Sequence, residues 1–109
     1  MISVIASLSS CKKANLTRDK WEIEKATDLE DGSDITSDFT GDTWEFSKDE
    51  KYYENNELKG SWAWIDGNDR FMIAENDGSV DEYDVIKLKR NEMWLKIPNE
   101  IEIHLSRIK

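Results

Sequence analysis

The stretch Met93-Trp94-Leu95-Lys96-Ile97-Pro98-Asn99-Glu100-Ile101-Glu102-Ile103-His104-Leu105 decides the fold. Met93, Leu95 and Ile97 alternate with Trp94 and Lys96, and Ile101, Ile103 and Leu105 alternate with Glu102 and His104. A period of two sends successive side chains to opposite faces of an extended chain, here one apolar and one wet. Pro98-Asn99 lies between the runs, in a turn where the missing proline N–H costs nothing. The segment therefore reads as a β-hairpin with one buried face.

Toward the N-terminus the same period recurs. Trp21, Ile23 and Lys25 alternate with Glu22 and Glu24, and Trp44 and Phe46 with Thr43, Glu45 and Ser47. Tyr52 and Glu54 alternate with Tyr53, Trp62 and Trp64 with Ser61, Ala63 and Ile65, and Phe71 and Ile73 with Met72 and Ala74. After Val80, Tyr83 and Val85 share one face, but Ile86 and Leu88 fall on the other. A bulge near Ile86 or Lys87 reconciles them. Turn-forming clusters punctuate these runs: Lys48-Asp49-Glu50, Asn55-Asn56, Asp66-Gly67-Asn68-Asp69, Asn76-Asp77-Gly78-Ser79 and Arg90-Asn91. Spacings of roughly 8–12 residues favour antiparallel hairpins over βαβ units.

Asp28 to Asp42 is the long connection, which either holds a short helix or crosses the end of the sheet. Eight sequential strands leave two edges unless the first pairs with the last, and closure removes both. The expected fold is all-β, an antiparallel up-and-down eight-stranded barrel. A flattened or half-open barrel or sandwich is the alternative.

The order of these pieces resembles the small lipocalin-like domains of Bacteroidota lipoproteins. The residues that carry the resemblance are Trp21, then Thr43 to Tyr52 with Trp44, Phe46 and Asp49, then Gly60-Ser61-Trp62-Ala63-Trp64. Phe71-Met72-Ile73, Tyr83-Asp84-Val85-Ile86-Lys87-Leu88, Met93-Trp94-Leu95 and the closing run Ile101 to Leu105 complete it. Two positions depart from the pattern: Asp19 and Glu50 stand where glycines are usual. The resemblance implies an eight-stranded lipocalin-like meander with, in larger relatives, a cavity for small apolar ligands. It carries no catalytic residues.

Leu8-Ser9-Ser10-Cys11 resembles the lipobox of bacterial lipoproteins, which needs small residues before a thiol that accepts a diacylglyceryl group. The resemblance implies a signal peptide over 1–10, lipidation (palmitate among the acyl chains) at Cys11, a tether over 11–16 and a barrel domain over 17–109. The apolar run before Cys11 is short and has no Lys or Arg ahead of it, so a start further upstream is expected. One cysteine cannot form an internal disulfide. The expected address is the cell envelope, lipid-anchored to the outer membrane. Lys12 and Lys13 directly after the cysteine favour a periplasm-facing anchor over a surface-exposed one.

Length bounds the rest: 109 residues suit one domain. A net charge of −9 repels phosphate backbones, which argues against nucleic-acid binding. The aromatic stripe Trp21, Trp44, Phe46, Tyr52, Trp62, Trp64, Phe71 and Tyr83 is the candidate ligand-binding surface. The competing reading is that these rings simply fill a narrow barrel. Trp94 should point outward, as an exposed contact or packed against its neighbours. Asp28, Glu30, Asp31, Asp34, Asp38 and Asp42 offer oxygen ligands, but their spacing is not that of an EF-hand loop, so a solvated charge run is expected. His104 should face out, with no second His or Cys for zinc. No metal, cofactor or catalytic residue is expected. Two functions compete: a non-enzymatic lipid-anchored module binding a small apolar ligand or an envelope protein, and a structural or inhibitory module with a filled barrel.

Overall fold

The computed structural model describes residues 13–65 and 69–108. Eight strands follow one another: β1 (Trp21–Asp28), β2 (Thr43–Phe46), β3 (Lys51–Glu54), β4 (Glu57–Ile65), β5 (Arg70–Glu75), β6 (Val80–Leu88), β7 (Glu92–Ile97) and β8 (Ile101–Arg107). Each pairs antiparallel with the next, and β1 pairs with β8, so the sheet closes into an up-and-down barrel. Closure satisfies both edges and rules out the half-open alternative.

The alternating apolar residues converge inside. Trp21, Ile23, Ala26, Trp44, Phe46, Tyr52, Trp62, Phe71, Ile73, Tyr83, Met93, Leu95, Ile103 and Leu105 are all buried. Three bulges adjust the register, between Ile23 and Lys25, between Tyr52 and Tyr53, and between Val85 and Lys87. The third is the expected one: Ile86 is extruded to 48 % exposure, and Leu88 returns to the core side opposite Met93. The first corrects the sequence reading. Lys25 is exposed and Ala26 takes the inward position, because Glu24 is the extra residue that shifts the alternation by one.

Residues 13–17 are helical, and Leu16 is fully buried in the core, so the domain begins before residue 17. An apolar side chain covering the end of an open barrel removes area that strand alternation cannot bury. The lipobox over 8–11 lies outside the described residues, as do Asp66, Gly67 and Asn68 of one expected turn.

The connection from Asp28 to Asp42 holds the short 3-10 turn Thr36–Asp38. Its carboxylates are engaged locally. Asp28 accepts from the Glu30 N–H at 2.8 Å, Asp31 from the Ser33 N–H at 2.9 Å, and Asp34 from the Thr36 N–H at 2.8 Å. Side-chain hydrogen bonds from Ser33 and Thr36, with these backbone bonds second, hold the Asp31 and Asp34 carboxyls below the usual range. Phe39 turns inward and packs on the core.

Glu50, in the β2–β3 turn, has φ +68°. A side chain in the left-handed region costs about 1 kcal/mol, which glycine avoids. Glu50→Gly is therefore expected to raise stability by about 0.5–1 kcal/mol, read as a shifted urea midpoint at unchanged slope. A lower midpoint would show that the Glu50 side chain compensates its own backbone.

Candidate functional site

The two ends of the barrel differ. One end carries the β2–β3 and β6–β7 turns together with the helical turn over 13–17. Here the Trp21 indole N–H donates to the Leu16 carbonyl at 3.1 Å, and the Arg107 guanidinium lies 3.9 Å from the Trp21 ring centroid. Arg107 donates through Nε to Arg90 O at 3.0 Å, through Nη1 to Asp19 O at 3.0 Å, and through Nη2 to Asn15 O. One planar fork thus ties the helical turn, the segment leading into β1 and the β6–β7 turn to the end of β8. Nothing in the sequence reading singled out Arg107. The available signal was that Arg107 continues the inward alternation of Ile103 and Leu105.

Above this closed end the rings form one connected network. Phe46 is its hub, with centroids 6.4 Å from Trp44, 5.5 Å from Tyr52, 6.0 Å from Trp62 and 5.3 Å from Phe71. Trp64 meets Trp62 and Phe71 edge-on at 5.8 Å each, and Tyr83 meets Phe71 at 5.8 Å and Trp44 at 6.1 Å. Edge-to-face geometry is the favoured arrangement for such quadrupoles. Seven of the eight residues of the predicted aromatic stripe are therefore brought together. The eighth, Trp21, is held apart beneath Arg107.

Two indoles in this network differ in a testable way. Trp62 Nε1 donates to Ser47 O at 2.9 Å, whereas Trp64 Nε1 is buried with no partner among the described residues. Trp62→Phe removes a hydrogen bond to the Ser47 carbonyl, which keeps only the Glu50 N–H at 3.1 Å, while Trp64→Phe removes a donor that had no acceptor. The first is expected to cost about 1 kcal/mol more than the second in chemical unfolding. Equal losses would mean that ring volume alone sets the cost.

The other end, with the long 28–42 connection and the β3–β4, β5–β6 and β7–β8 turns, is a mouth lined in two halves. Register puts Glu54 opposite Trp44, Glu75 opposite Gly60 and Asp81 opposite Ile73, which turns all three carboxylates to the inner face. Tyr52 donates to Glu54 Oε2 at 2.6 Å, and Ser79 Oγ lies 3.4 Å from Glu75 Oε2. The other half is apolar, built from Phe39, Ile97 and Ile101. Sequence alternation already put Glu54 on the face of Tyr52. Glu75 and Asp81 escaped notice because both stand at strand ends, where alternation is shortest.

Burial, together with the like charges of Glu54, Asp77 and Asp81, pushes the Glu75 carboxyl above the usual 4.5. Burial likewise raises the Tyr52 and Tyr83 hydroxyls, helped by neighbouring carboxylates. A carboxyl with a raised pKa favours folding while protonated, and that contribution is lost as pH rises through its folded value. Stability is thus expected to fall as pH climbs from about 4.5 through the Glu75 titration, and Glu75→Gln to flatten that limb of the melting profile. An unchanged profile would mean that Glu75 is effectively solvated.

On the outer wall, Trp94 is half-buried and stacked on His104, with centroids 4.0 Å apart and planes 2° apart. Lys87 Nζ covers Trp94 at 4.5 Å, and Glu102 Oε2 lies 2.6 Å from His104 Nε2. Both residues face out, as alternation requires, and Trp94 is packed against its neighbours. No three His, Cys, Asp or Glu side chains converge as metal ligands among the described residues. No helix there is long and apolar enough to cross a membrane.

No family model matches this sequence, and no curated protein does. Among solved structures, a lipocalin-like protein from Bacteroides uniformis ATCC 8492 superposes with a TM-score of 0.68. The match covers 86 % of this chain and 99 % of that one at 11 % identity, a likeness of fold.

Proposed function

We propose that this chain, built on the fold of a lipocalin-like protein, is a non-enzymatic binding module of the cell envelope, held by lipid on Cys11. The observation that carries the binding reading is the asymmetry of the barrel: one end is shut by Leu16, Trp21 and Arg107, and the other presents a mouth with a charged and an apolar half. Rings at the floor of that mouth give a small apolar molecule a surface to stack on. The proposed anchor is the lipobox cysteine, with the barrel carried on the periplasmic face of the outer membrane.

The anchor is tested by fractionation. Wild-type chain should partition with membranes and carry a mass increment on Cys11, and Cys11→Ser should release it to the soluble fraction, since several acyl chains together hold stably. An unmodified, soluble wild-type chain would end the anchoring proposal. Binding is tested by tryptophan fluorescence during titration with small apolar molecules. A second reading, an interaction module or inhibitor, draws on the dense ring packing and on Leu58, Val80 and Ile86, which stand exposed on the outer wall. Pull-down of an envelope protein together with flat titrations would favour it.

A further inference from the structure

Among the described residues, one buried side-chain polar atom has no hydrogen-bond partner: the indole nitrogen of Trp64. Its neighbour on the same strand supplies the comparison. Trp62 and Trp64 both turn inward from β4, opposite Ile73 and Phe71, and their rings meet edge-on at 5.8 Å. Trp62 reaches the Ser47 carbonyl at 2.9 Å, an acceptor that the β2–β3 turn brings to it. Trp64 stands two residues further along, toward the end of β4, and no acceptor of the chain meets its N–H. A buried donor without an acceptor is costly, and a phenylalanine would fill much of the same space without that cost. Trp64 as a whole is only partly buried, unlike Trp62 and Phe71 beside it, so its ring borders the surface while its N–H does not.

We infer that Trp64 is the hydrogen-bond donor of a ligand site, in which a small apolar molecule carrying one neutral carbonyl oxygen lies against Trp62, Trp64 and Phe71 and accepts from the Trp64 N–H. The rings supply apolar contact, and the oxygen supplies the acceptor that the chain withholds. The chemistry of the donor selects the class of ligand. A hydrocarbon leaves the N–H as costly as before. An alcohol satisfies it but brings a hydroxyl hydrogen that then needs an acceptor of its own, whereas a ketone or ester oxygen accepts and demands nothing. A carboxylate would give up its hydration among rings whose faces are negative. The overall charge of −9 opposes an anion further.

This inference rests on the binding-module reading, and the test separates the two. The full chain is titrated with acetophenone, α-methylstyrene and benzoate, followed by calorimetry and by the indole N–H signals of the nitrogen-15-labelled protein. The first two molecules share a shape and differ in carrying C=O or C=CH₂. Comparing the ratio of their affinities between wild type and Trp64→Phe cancels their unequal transfer from water. Acetophenone should lose about two- to tenfold against α-methylstyrene in Trp64→Phe. That variant keeps a ring and removes a donor that makes no bond in the free protein, so it folds. Trp94→Phe, on the outer wall, should keep the wild-type ratio, and benzoate should bind wild type more weakly than acetophenone does. The Trp64 indole proton, identified by its loss in Trp64→Phe, should move further downfield with acetophenone than with α-methylstyrene, whose aromatic ring is the same. An unchanged ratio in Trp64→Phe, a proton that responds alike to both molecules, or a bound water that stays on that N–H at acetophenone saturation would overturn the donor site and leave the apolar-ligand reading standing. Failure of all three molecules to bind would remove both.

Discussion

Arg107→Ala is expected to lower the free energy of unfolding by about 4 kcal/mol, enough to leave a small domain marginal at physiological temperature. Arg107 is 8 % exposed, and its guanidinium donates to three backbone carbonyls and stacks on Trp21. Removing it strands carbonyls of Asn15, Asp19 and Arg90 at a closed end, and each costs roughly 1–3 kcal/mol unless water replaces the donor. The stacking contact adds about 1 kcal/mol more, and rehydration of the end returns part of the sum. Arg107→Lys should recover less than half of the loss, because an ammonium cannot hold three acceptors in the plane of a fork while lying flat on an indole. Urea unfolding monitored at the indoles measures both variants. A loss below about 1 kcal/mol for alanine would show that Leu16 and the helical turn close the barrel unaided.

Gly60→Ala is expected to cost at least about 3 kcal/mol, although it adds a single methyl group. A Cβ at this position would lie 2.0 Å from the Ala74 carbonyl oxygen and 2.8 Å from the Glu75 Cα, both backbone atoms that no rotamer change can clear. The reason lies in the neighbouring bulge. Lys59 is the extra residue between the Tyr53–Leu58 and Tyr52–Gly60 pairs, and its carbonyl accepts from the Asn76 N–H at 2.7 Å. That bond draws β4 onto the end of β5, and only a residue without a Cβ tolerates the approach. Relief by strand separation would break ladder bonds beside Glu75. A variant with wild-type stability would mean that β4 and β5 part freely there.

The two effects were not equally legible. Gly60 belongs to the Gly-x-Trp-x-Trp pattern, which marked it as part of the resemblance but gave no reason for glycine. The reason is a contact with a strand that begins ten residues later, at Arg70. For Arg107 the alternation of Ile103 and Leu105 indicated an inward position but not its partners, since its acceptors on Asn15 and Asp19 lie 92 and 88 positions away in the chain. Glu50 lay between these cases. It stood where the resembling pattern has glycine, and the positive φ explains why glycine is usual there.

Alternation by itself determined the strand number, their antiparallel order and seven of the rings that share the lumen, because a period of two is written in neighbouring residues and needs no knowledge of what lies across the sheet. Only tertiary structure decided that Ala26 replaces Lys25 on the inner face, that Leu16 belongs to the core, and that Glu75 and Asp81 join Glu54 on the inner face at one end of the barrel. Each of those depends on how far one strand slides against the next and on the closure of β1 against β8. Such offsets accumulate around the barrel, and no local stretch of chain encodes their sum.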